Sequence, residues 1–282
     1  MVRLYKRQAQ VLIGKLGSSG KLLEGLRISF DINMDDNRET NTGRISIYNL
    51  SDETLGLLEE KDTSAILKIG YDDDELSTLF IGDIVSYEHD FKGVDVITKI
   101  ICKDGYIPLT QRKLSLSFVE NSNTKQIVNK IAGDLNLAKA DYSNIPNYTY
   151  RQGFSFVGRP GTALDTVLAR VNHEWTIVNN VLIITKPNES NTQTTAQFLS
   201  PSTGLLDKPK RFKEMGVKTK IKNDKAVDGW LINSLIIPSI QPKVLIKVQG
   251  GEVDGDFYVK AVKFVGDTKE GSWRSVIKAI EK

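Results

Sequence analysis

The feature that most constrains the fold is a period-two alternation of apolar and polar residues. In GLRISFDINMD (25–35), Ile28, Phe30, Ile32 and Met34 fall on one face of an extended chain. This pattern is typical of a strand with one buried and one solvated face. The alternation returns in GDFYVKAVKFVGDTKEGSWRSVIKAI (255–280), on both sides of a polar turn, and predicts a two-stranded hairpin.

The rest of the first third continues this β pattern. Turn-forming clusters separate four more alternating segments, which are TGRISIYNL, AILKIGY, STLFIGDIVSYEHD and GVDVITKIICKDG. Between the first two, LSDETLGLLEEKD predicts a short helix with Ser51 as its N-cap. We therefore expect the first third to be antiparallel β.

The middle third changes to a helical period. NTKQIVNKIAGDLNL predicts a helix capped by Asn123, with Gln126 three residues on. RPGTALDTVLARVNHEW predicts another, with Thr162 and Asp165 as a capping box. WTIVNNVLIITK then reads as a hairpin turning at Asn179–Asn180. These elements predict a small α+β unit over about 114–186.

The two β-rich thirds resemble each other. ILKIGYDDDELSTLFIGDIVSYEHDFKG (66–93) aligns with LIKVQGGEVDGDFYVKAVKFVGDTKEG (245–271) at an offset of roughly 177–179 residues. Either the chain contains a duplication, or two unrelated hairpins share a common pattern. Duplication predicts a mainly β (α+β) fold in which two related antiparallel β-barrels flank an inserted α+β domain. The predicted domains are 1–112, 113–187 and 188–282, the last beginning with a polar linker.

Composition limits the function classes. The net charge of +3 is too balanced for a dedicated nucleic-acid binder. A single cysteine, Cys102, excludes an internal disulfide framework, fits assembly in a reducing compartment, and lies in a strand pattern that predicts a buried thiol. The N-terminus lacks a signal-peptide apolar region, and no segment approaches a membrane span, so we expect no membrane span.

No catalytic, cofactor or metal site is predicted. His89 and His173 fall in different predicted domains, and neither has a partner at metal-ligand spacing. The acidic run Asp72–Glu75 lacks the spacing of a calcium loop and reads as a solvated turn. Lys218, Lys220 and Lys222 form one basic face of a predicted strand. That face is either solvated or a contact surface for nucleic acid or an acidic partner.

Several motifs resemble those of baseplate hub proteins of contractile phage tails. TGRISIYNLSDET (42–54) resembles a strand-to-helix motif of phage tail proteins, and HEWTIVNNVLIIT (173–185) resembles the domain inserted in the hubs. The last third resembles their C-terminal tube domain at these positions: Thr203-Gly204-Leu205, Pro209, Pro238–Pro242, Gly255–Tyr258, Gly266-Asp267 and Trp273. Lys243 departs from the pattern, because the hubs often have glycine there.

The resemblance implies a structural, non-enzymatic hub in the virion baseplate, made in the host cytoplasm. Three copies would form a ring of six tube domains that adapts the sixfold tail tube to the threefold spike. The implied partners are the tail tube protein, the spike protein and other baseplate proteins. DNA would pass through the channel without specific binding, and no cofactor is implied. Lys218, Lys220 and Lys222 would then lie at an inter-subunit or spike contact.

Two other function classes stay open at this point. A tail-associated cell-wall hydrolase predicts two carboxylates about 5–9.5 Å apart in a groove. A barrel that binds oligosaccharide or nucleic acid predicts exposed aromatic side chains on one face. Trp175, Trp230 and Trp273 each lie in an apolar strand context, and we expect them to pack in the core.

Overall fold

The computed structural model describes residues 6–37, 40–71, 75–138, 142, 145–187, 189, 196–214 and 227–281. The first third is β with one short helix. Its strands are β1 (Arg7–Gly14), β2 (Gly20–Leu23), β3 (Ile28–Asp35), β4 (Thr42–Tyr48), β5 (Ser64–Tyr71), β6 (Ser77–Lys92) and β7 (Asp95–Lys103). Helix α1 (Asp52–Leu58) joins β4 to β5, and the Ser51 side chain caps it as predicted.

The middle third combines short hairpins with two helices. A π-helical turn (Ile107–Gln111) leads into β8 (Leu114–Phe118), β9 (Ser122–Asn123), α2 (Thr124–Asp134), β10 (Thr149–Tyr150), β11 (Phe154–Gly158), α3 (Pro160–Ala169), β12 (Glu174–Val178) and β13 (Val181–Thr185). The remaining strands are β14 (Gln197–Leu199), β15 (Lys210–Glu214), β16 (Val227–Ser234), β17 (Leu245–Gly250), β18 (Val253–Asp267) and β19 (Trp273–Glu281).

The N-termini of α2 and α3 show how well local sequence predicts a helix cap. Asn123 and Gln126 form the predicted capping box of α2. The capping box predicted at Thr162 is wrong, because α3 already begins at Pro160, whose fixed backbone angle suits a first helical position. Asp165 instead accepts a hydrogen bond from Trp175 Nε1 at 2.9 Å.

The two β-rich thirds have the same strand order. The first contains β3-β4-β7-β6-β5 and the second contains β15-β16-β19-β18-β17, with every neighbouring pair antiparallel. The long strands β6 and β18 each carry a bulge at an equivalent place, between Ile84 and Ser86 against β7 and between Val259 and Ala261 against β19. We refer to these five-strand groups as the first and second β sets. Their shared order is that of a duplicated unit.

The two sets are joined edge to edge. The C-terminal part of β18, Ala261–Asp267, pairs with β3 in antiparallel register, so one sheet of 13 strands runs through both sets. Beyond the first set the sheet continues through β1 and β2, while β14 pairs in parallel with β17. A single apolar core includes buried side chains from both sets.

A second apolar core lies within the middle third. Its buried members include Ile127 and Ile131 of α2 and Leu164 and Leu168 of α3. The chain is therefore mainly β with an inserted α+β region, as predicted from the alternation and from the helical periods. The division at 1–112, 113–187 and 188–282 stays a prediction.

Candidate assembly interface

The described residues contain no cluster of side chains suited to metal binding. No group of three or more His, Cys, Asp or Glu side chains in them could hold a metal ion. His89 Nδ1 lies 3.2 Å from Thr98 Oγ1, and His173 Nδ1 lies 2.7 Å from the carbonyl oxygen of Val171. Each histidine therefore has its own hydrogen-bond partner, Thr98 for His89 and Val171 for His173. Of the acidic run, Asp72–Asp74 lie outside the described residues.

A cleft lined by two carboxylates lies between the first β set and the middle third. It has a volume of about 680 Å³ and is lined by Asp62 and Asp83, among others. Both oxygens of Asp83 already accept hydrogen bonds, from Ser64 Oγ at 2.9 Å and from the Ile107 N–H at 2.8 Å. This carboxylate ties β6 to the π-helical turn, which is a structural use.

Cys102 is fully buried in β7, as expected, and burial raises the pKa of its thiol to about 12. Because the thiolate is the reactive form, a maleimide at pH 8 should modify folded chain at least about 100-fold more slowly than chain unfolded in guanidinium. Mass spectrometry of timed samples measures this ratio. Stoichiometric labelling of the folded chain within minutes would contradict the burial of Cys102.

Polar and aromatic contacts reinforce the joint between the two β sets. Arg27 lies 2.9 Å from Asp267 and 2.6 Å from Glu270, and Lys263 Nζ lies 2.8 Å from Asp31 Oδ2 across the β18–β3 ladder. Behind them the Trp273 ring packs edge-on against Phe30 and Tyr71 at centroid distances of 5.4 and 6.1 Å. The joint has both an apolar interior and a charged surface.

The tryptophans do not form an exposed binding platform. Trp175 and Trp273 are each 4% exposed, which confirms their predicted place in the core. Trp230 is half-buried and packs against the main core, with the Arg211 guanidinium 5.2 Å from its ring centroid. The aromatic face expected of a barrel that binds saccharide or nucleic acid is not formed by these three residues.

A buried lysine connects all three thirds of the chain. Lys243 is 1% exposed, and its Nζ lies 2.6 Å from Glu174 Oε1 and 3.1 Å from Asp36 Oδ2. Tyr258 Oη donates to the same Asp36 oxygen at 3.3 Å, and burial raises the pKa of this phenol. Lys243 has a φ of 68°, the left-handed conformation that favours glycine. The backbone therefore has a conformation that glycine would adopt readily, while the side chain adds an ionic contact.

A buried carboxylate docks the middle third on the first β set. Asp104 follows β7 and accepts hydrogen bonds from the N–H groups of Asn179 and Asn180 at 2.5 and 3.0 Å. These asparagines form the predicted β12–β13 turn, with φ values of 53° and 63°. The Asn179 side chain accepts from the Ile81 N–H and donates to the Leu79 carbonyl. Hydrogen bonds thus connect the turn to Asp104, to Ile81 and to Leu79.

The Asp104 contact should make stability depend on pH. Burial raises the pKa of Asp104 from 3.8 to about 7, against the opposing effect of its hydrogen bonds. Between pH 4 and 7 the folded chain then holds a proton that the unfolded chain has lost. The stability from this group is greatest below about pH 4 and falls as pH rises to 7, by at most about 1.4 kcal/mol per pH unit.

Urea unfolding of wild type and Asp104→Asn at several pH values measures this effect. Subtracting the two profiles removes the contribution of Asp83, whose pKa burial also raises. We expect the difference between them to change sharply between pH 5 and 7. Parallel profiles across that range would mean that Asp104 stays ionised in the folded chain.

Each of the two β sets has a strand edge without a ladder partner in the described part of the chain. One is the edge of β6 beyond Ile84 that faces away from β7, and the other is the edge of β15 that faces away from β16. The predicted contact residues Lys218, Lys220 and Lys222 fall between β15 and β16 in sequence and lie outside the described residues. The unpaired edges gave no sequence signal, because alternation does not show which strands are neighbours.

None of the helices described here is both long enough and apolar enough to cross a membrane.

Solved structures of tail proteins have a similar fold. The tail protein from Neisseria meningitidis MC58 matches with a TM-score of 0.63 at 12% identity, covering 99% of this chain and 97% of that one. The 43 kDa tail protein of prophage MuSo2 from Shewanella oneidensis matches at 0.59 and 10%, covering 97% and 98%.

A third similar structure is the E. coli c3393 protein, a component of the type VI secretion system with structural similarity to the T4 phage tail proteins gp27 and gp5. It matches with a TM-score of 0.59 at 12% identity and covers 96% of this chain and 76% of that one. No curated protein sequence matches the chain. The family model described as Baseplate hub gp41 matches residues 10–248, which is most of the sequence. The chain therefore belongs to the baseplate hub gp41 family of phage tail structural proteins.

Proposed function

We propose that the chain is the structural hub of a contractile phage tail baseplate or of a related phage-derived injection machine. The family match supports a structural role in the baseplate. The observation that carries the specific proposal is the duplicated strand order, with the two β sets joined edge to edge. Related units in one chain can occupy equivalent places around a ring, because interfaces recur under closed symmetry.

The mechanism depends on symmetry rather than on chemistry. Three copies, each with two β sets, place six similar units around one axis. The complete chains are related by threefold symmetry only. Such a homotrimer matches a sixfold tail tube on one side and a threefold spike on the other. After contraction releases the spike, the ring is an open channel for DNA, which it does not bind specifically.

The similar structures support the spike side of this proposal. The E. coli protein resembles the T4 tail proteins gp27 and gp5, and two Francisella structures with a similar fold are complexes of PdpA with VgrG. For this chain we infer contacts with spike, tube and other baseplate proteins, and a place in the virion tail after assembly in the host cytoplasm. Lys218, Lys220 and Lys222 would contact a neighbouring subunit or the spike.

No enzymatic step is part of this proposal. The Asp83 carboxylate has structural partners at both oxygens. We infer that three structural domains, 1–112, 113–187 and 188–282, supply the whole function, without a cofactor.

Electron microscopy of the assembled tail tip tests the proposal. The expected map contains three copies of the chain and six β sets around an open channel, between the tube and the spike. A tip that contains the chain in any other copy number would overturn the symmetry-adaptor function. Lysines 218, 220 and 222 projecting into the channel would overturn their placement.

A further inference from the structure

Because the two β sets are duplicated, the β18–β3 pairing has a possible equivalent between β6 and β15. The β18–β3 joint is formed within the chain, and the β6–β15 joint is not. In the second set, β18 pairs with β17 through its N-terminal part and with β3 through Ala261–Asp267. In the first set, β6 pairs with β5 only as far as Asp83, so the matching edge of Ser86–Lys92 has no partner among the described residues. The counterpart of β3 is β15, whose outer edge is likewise unpaired there.

We propose that Ser86–Lys92 of β6 in one copy pairs antiparallel with β15 of a neighbouring copy, repeating the β18–β3 joint between chains. This inference rests on the proposed ring and names the surfaces that form it. The joint uses two different edges of the chain, so it is heterologous and can recur from copy to copy until the ring closes. It also covers two edges that would otherwise invite non-specific pairing.

The ladders determine the register of the proposed joint. A row of paired residues crosses the first set from Asp31 through Arg44 and Ile101 to Ser86. The same row crosses the second set from Lys210 through Leu231 and Lys278 to Ala261, and Ser86 and Ala261 each follow the bulge directly. Lys210 is therefore the counterpart of Asp31.

Counting from the bulges completes the alignment. Lys263 lies two residues beyond Ala261, as Glu88 lies two beyond Ser86, so Glu88 is the counterpart of Lys263. Within the chain, Asp31 pairs with Val265, whose counterpart is Asp90. The proposed joint thus places Asp90 directly opposite Lys210 of the neighbouring copy.

The charges at these positions are complementary. In the joint within the chain, Lys263 Nζ contacts Asp31 at 2.8 Å. In the joint between chains the same two positions hold Glu88 and Lys210, which is the same ion pair with the signs exchanged. Glu88 and Asp90 both lie near Lys99 Nζ of the same chain, at 3.4 and 3.3 Å, but their side chains are 67% and 57% exposed. Lys210 is also exposed, so all three are accessible to a second copy.

Apolar exposure at the end of β6 supports the same partner. Phe91 is 74% exposed although it belongs to a strand. Its counterpart in β18 is Gly266, which pairs with Phe30. In the derived register Phe91 faces Pro209 of the neighbouring copy, so the joint would cover an apolar ring that the single chain leaves in water.

Disulfide trapping in tail tips that assemble with the variant chain tests the joint. Directly opposed residues in antiparallel strands have Cα atoms about 4.5–5.5 Å apart, which a disulfide can span. Asp90→Cys combined with Lys210→Cys should convert most of the chain into dimers and trimers on non-reducing gels, and reductant should return it to monomer. Asp90→Cys with Asp254→Cys, an exposed residue at the other end of β18, is the matched control and should stay monomeric.

The outcomes separate this inference from the proposed function. Tips that contain the double-cysteine chain without cross-links would overturn the β6–β15 joint and leave the hub function standing. Absence of the wild-type chain from purified tips would overturn the hub function and the joint with it.

A charge exchange gives an independent test if the cysteines impair assembly. Glu88→Lys and Lys210→Glu should each lower incorporation into tips, by up to about fivefold for an exposed ion pair, and their combination should restore it. A combined variant no better than the poorer single variant would overturn the joint. Circular dichroism of each purified variant verifies that the chain is folded.

Discussion

Replacing Trp273 with alanine should lower the free energy of unfolding by about 3–5 kcal/mol, the range typical of a buried aromatic truncated in a core. Trp273 begins β19 in the second β set, yet its ring packs against Phe30 and Tyr71 of the first set. The cavity would therefore open between the two sets. Urea denaturation followed by circular dichroism measures the loss.

Trp230→Ala is the matched control, since it removes the same side chain from a half-buried position in β16. We expect it to cost about 1–2 kcal/mol, within the common range for single substitutions. Thermal unfolding should follow the same order, with a decrease in Tm of roughly 5–15 °C for Trp273→Ala. Equal losses for the two variants would contradict the central place of Trp273 in the joint.

The strands could be predicted from alternation alone because one face of each is buried. Ile28–Asp35 forms β3 with alternate residues buried, and the closing hairpin forms β18 and β19. The Asn179–Asn180 turn was also predictable, because few residues other than asparagine and glycine tolerate its positive φ values. In each case the signal lies within a few residues of the element that it specifies.

The duplication was predicted correctly, but its register was not. The sequence alignment, at an offset of roughly 177 residues, places Val85 opposite Val262, whereas the bulges and ladders make Tyr87 the counterpart of Val262. The error is two residues. A shift of two keeps every side chain on the same face of a strand, so an alternating pattern cannot detect it. Only the bulges, which alternation does not reveal, determine the register.

The polar contacts between the thirds of the chain could not be predicted from the sequence, because they join residues far apart in it. Asp104 bonds to a turn 75 residues away, and Lys243 contacts Glu174 across 69 residues. The resemblance to the hubs did single out Lys243, as a departure from glycine. In the structure Lys243 has a φ of 68°, which is the left-handed conformation that favours glycine.

The buried cation at Lys243 leads to the other large expected effect. Lys243→Met keeps most of the length of the unbranched side chain but removes the charge, which leaves Asp36 and Glu174 without their shared counter-ion. Breaking a fully buried ion pair costs about 3–5 kcal/mol. Because the Glu174 side chain is 28% exposed, we expect a loss of about 2–4 kcal/mol in urea denaturation at pH 7.

Two comparisons show whether the loss of stability in Lys243→Met comes from leaving the carboxylates of Asp36 and Glu174 without a partner. Lys263→Met removes a lysine whose ion pair with Asp31 is 45% and 35% exposed, and should cost less than about 1 kcal/mol. Adding Asp36→Asn to Lys243→Met should recover part of the loss, since it removes one unpaired charge. If the double variant is instead less stable than Lys243→Met, the lysine acts mainly through the packing of its aliphatic chain. The three thirds of the protein would then be joined at this point by apolar contact rather than by charge.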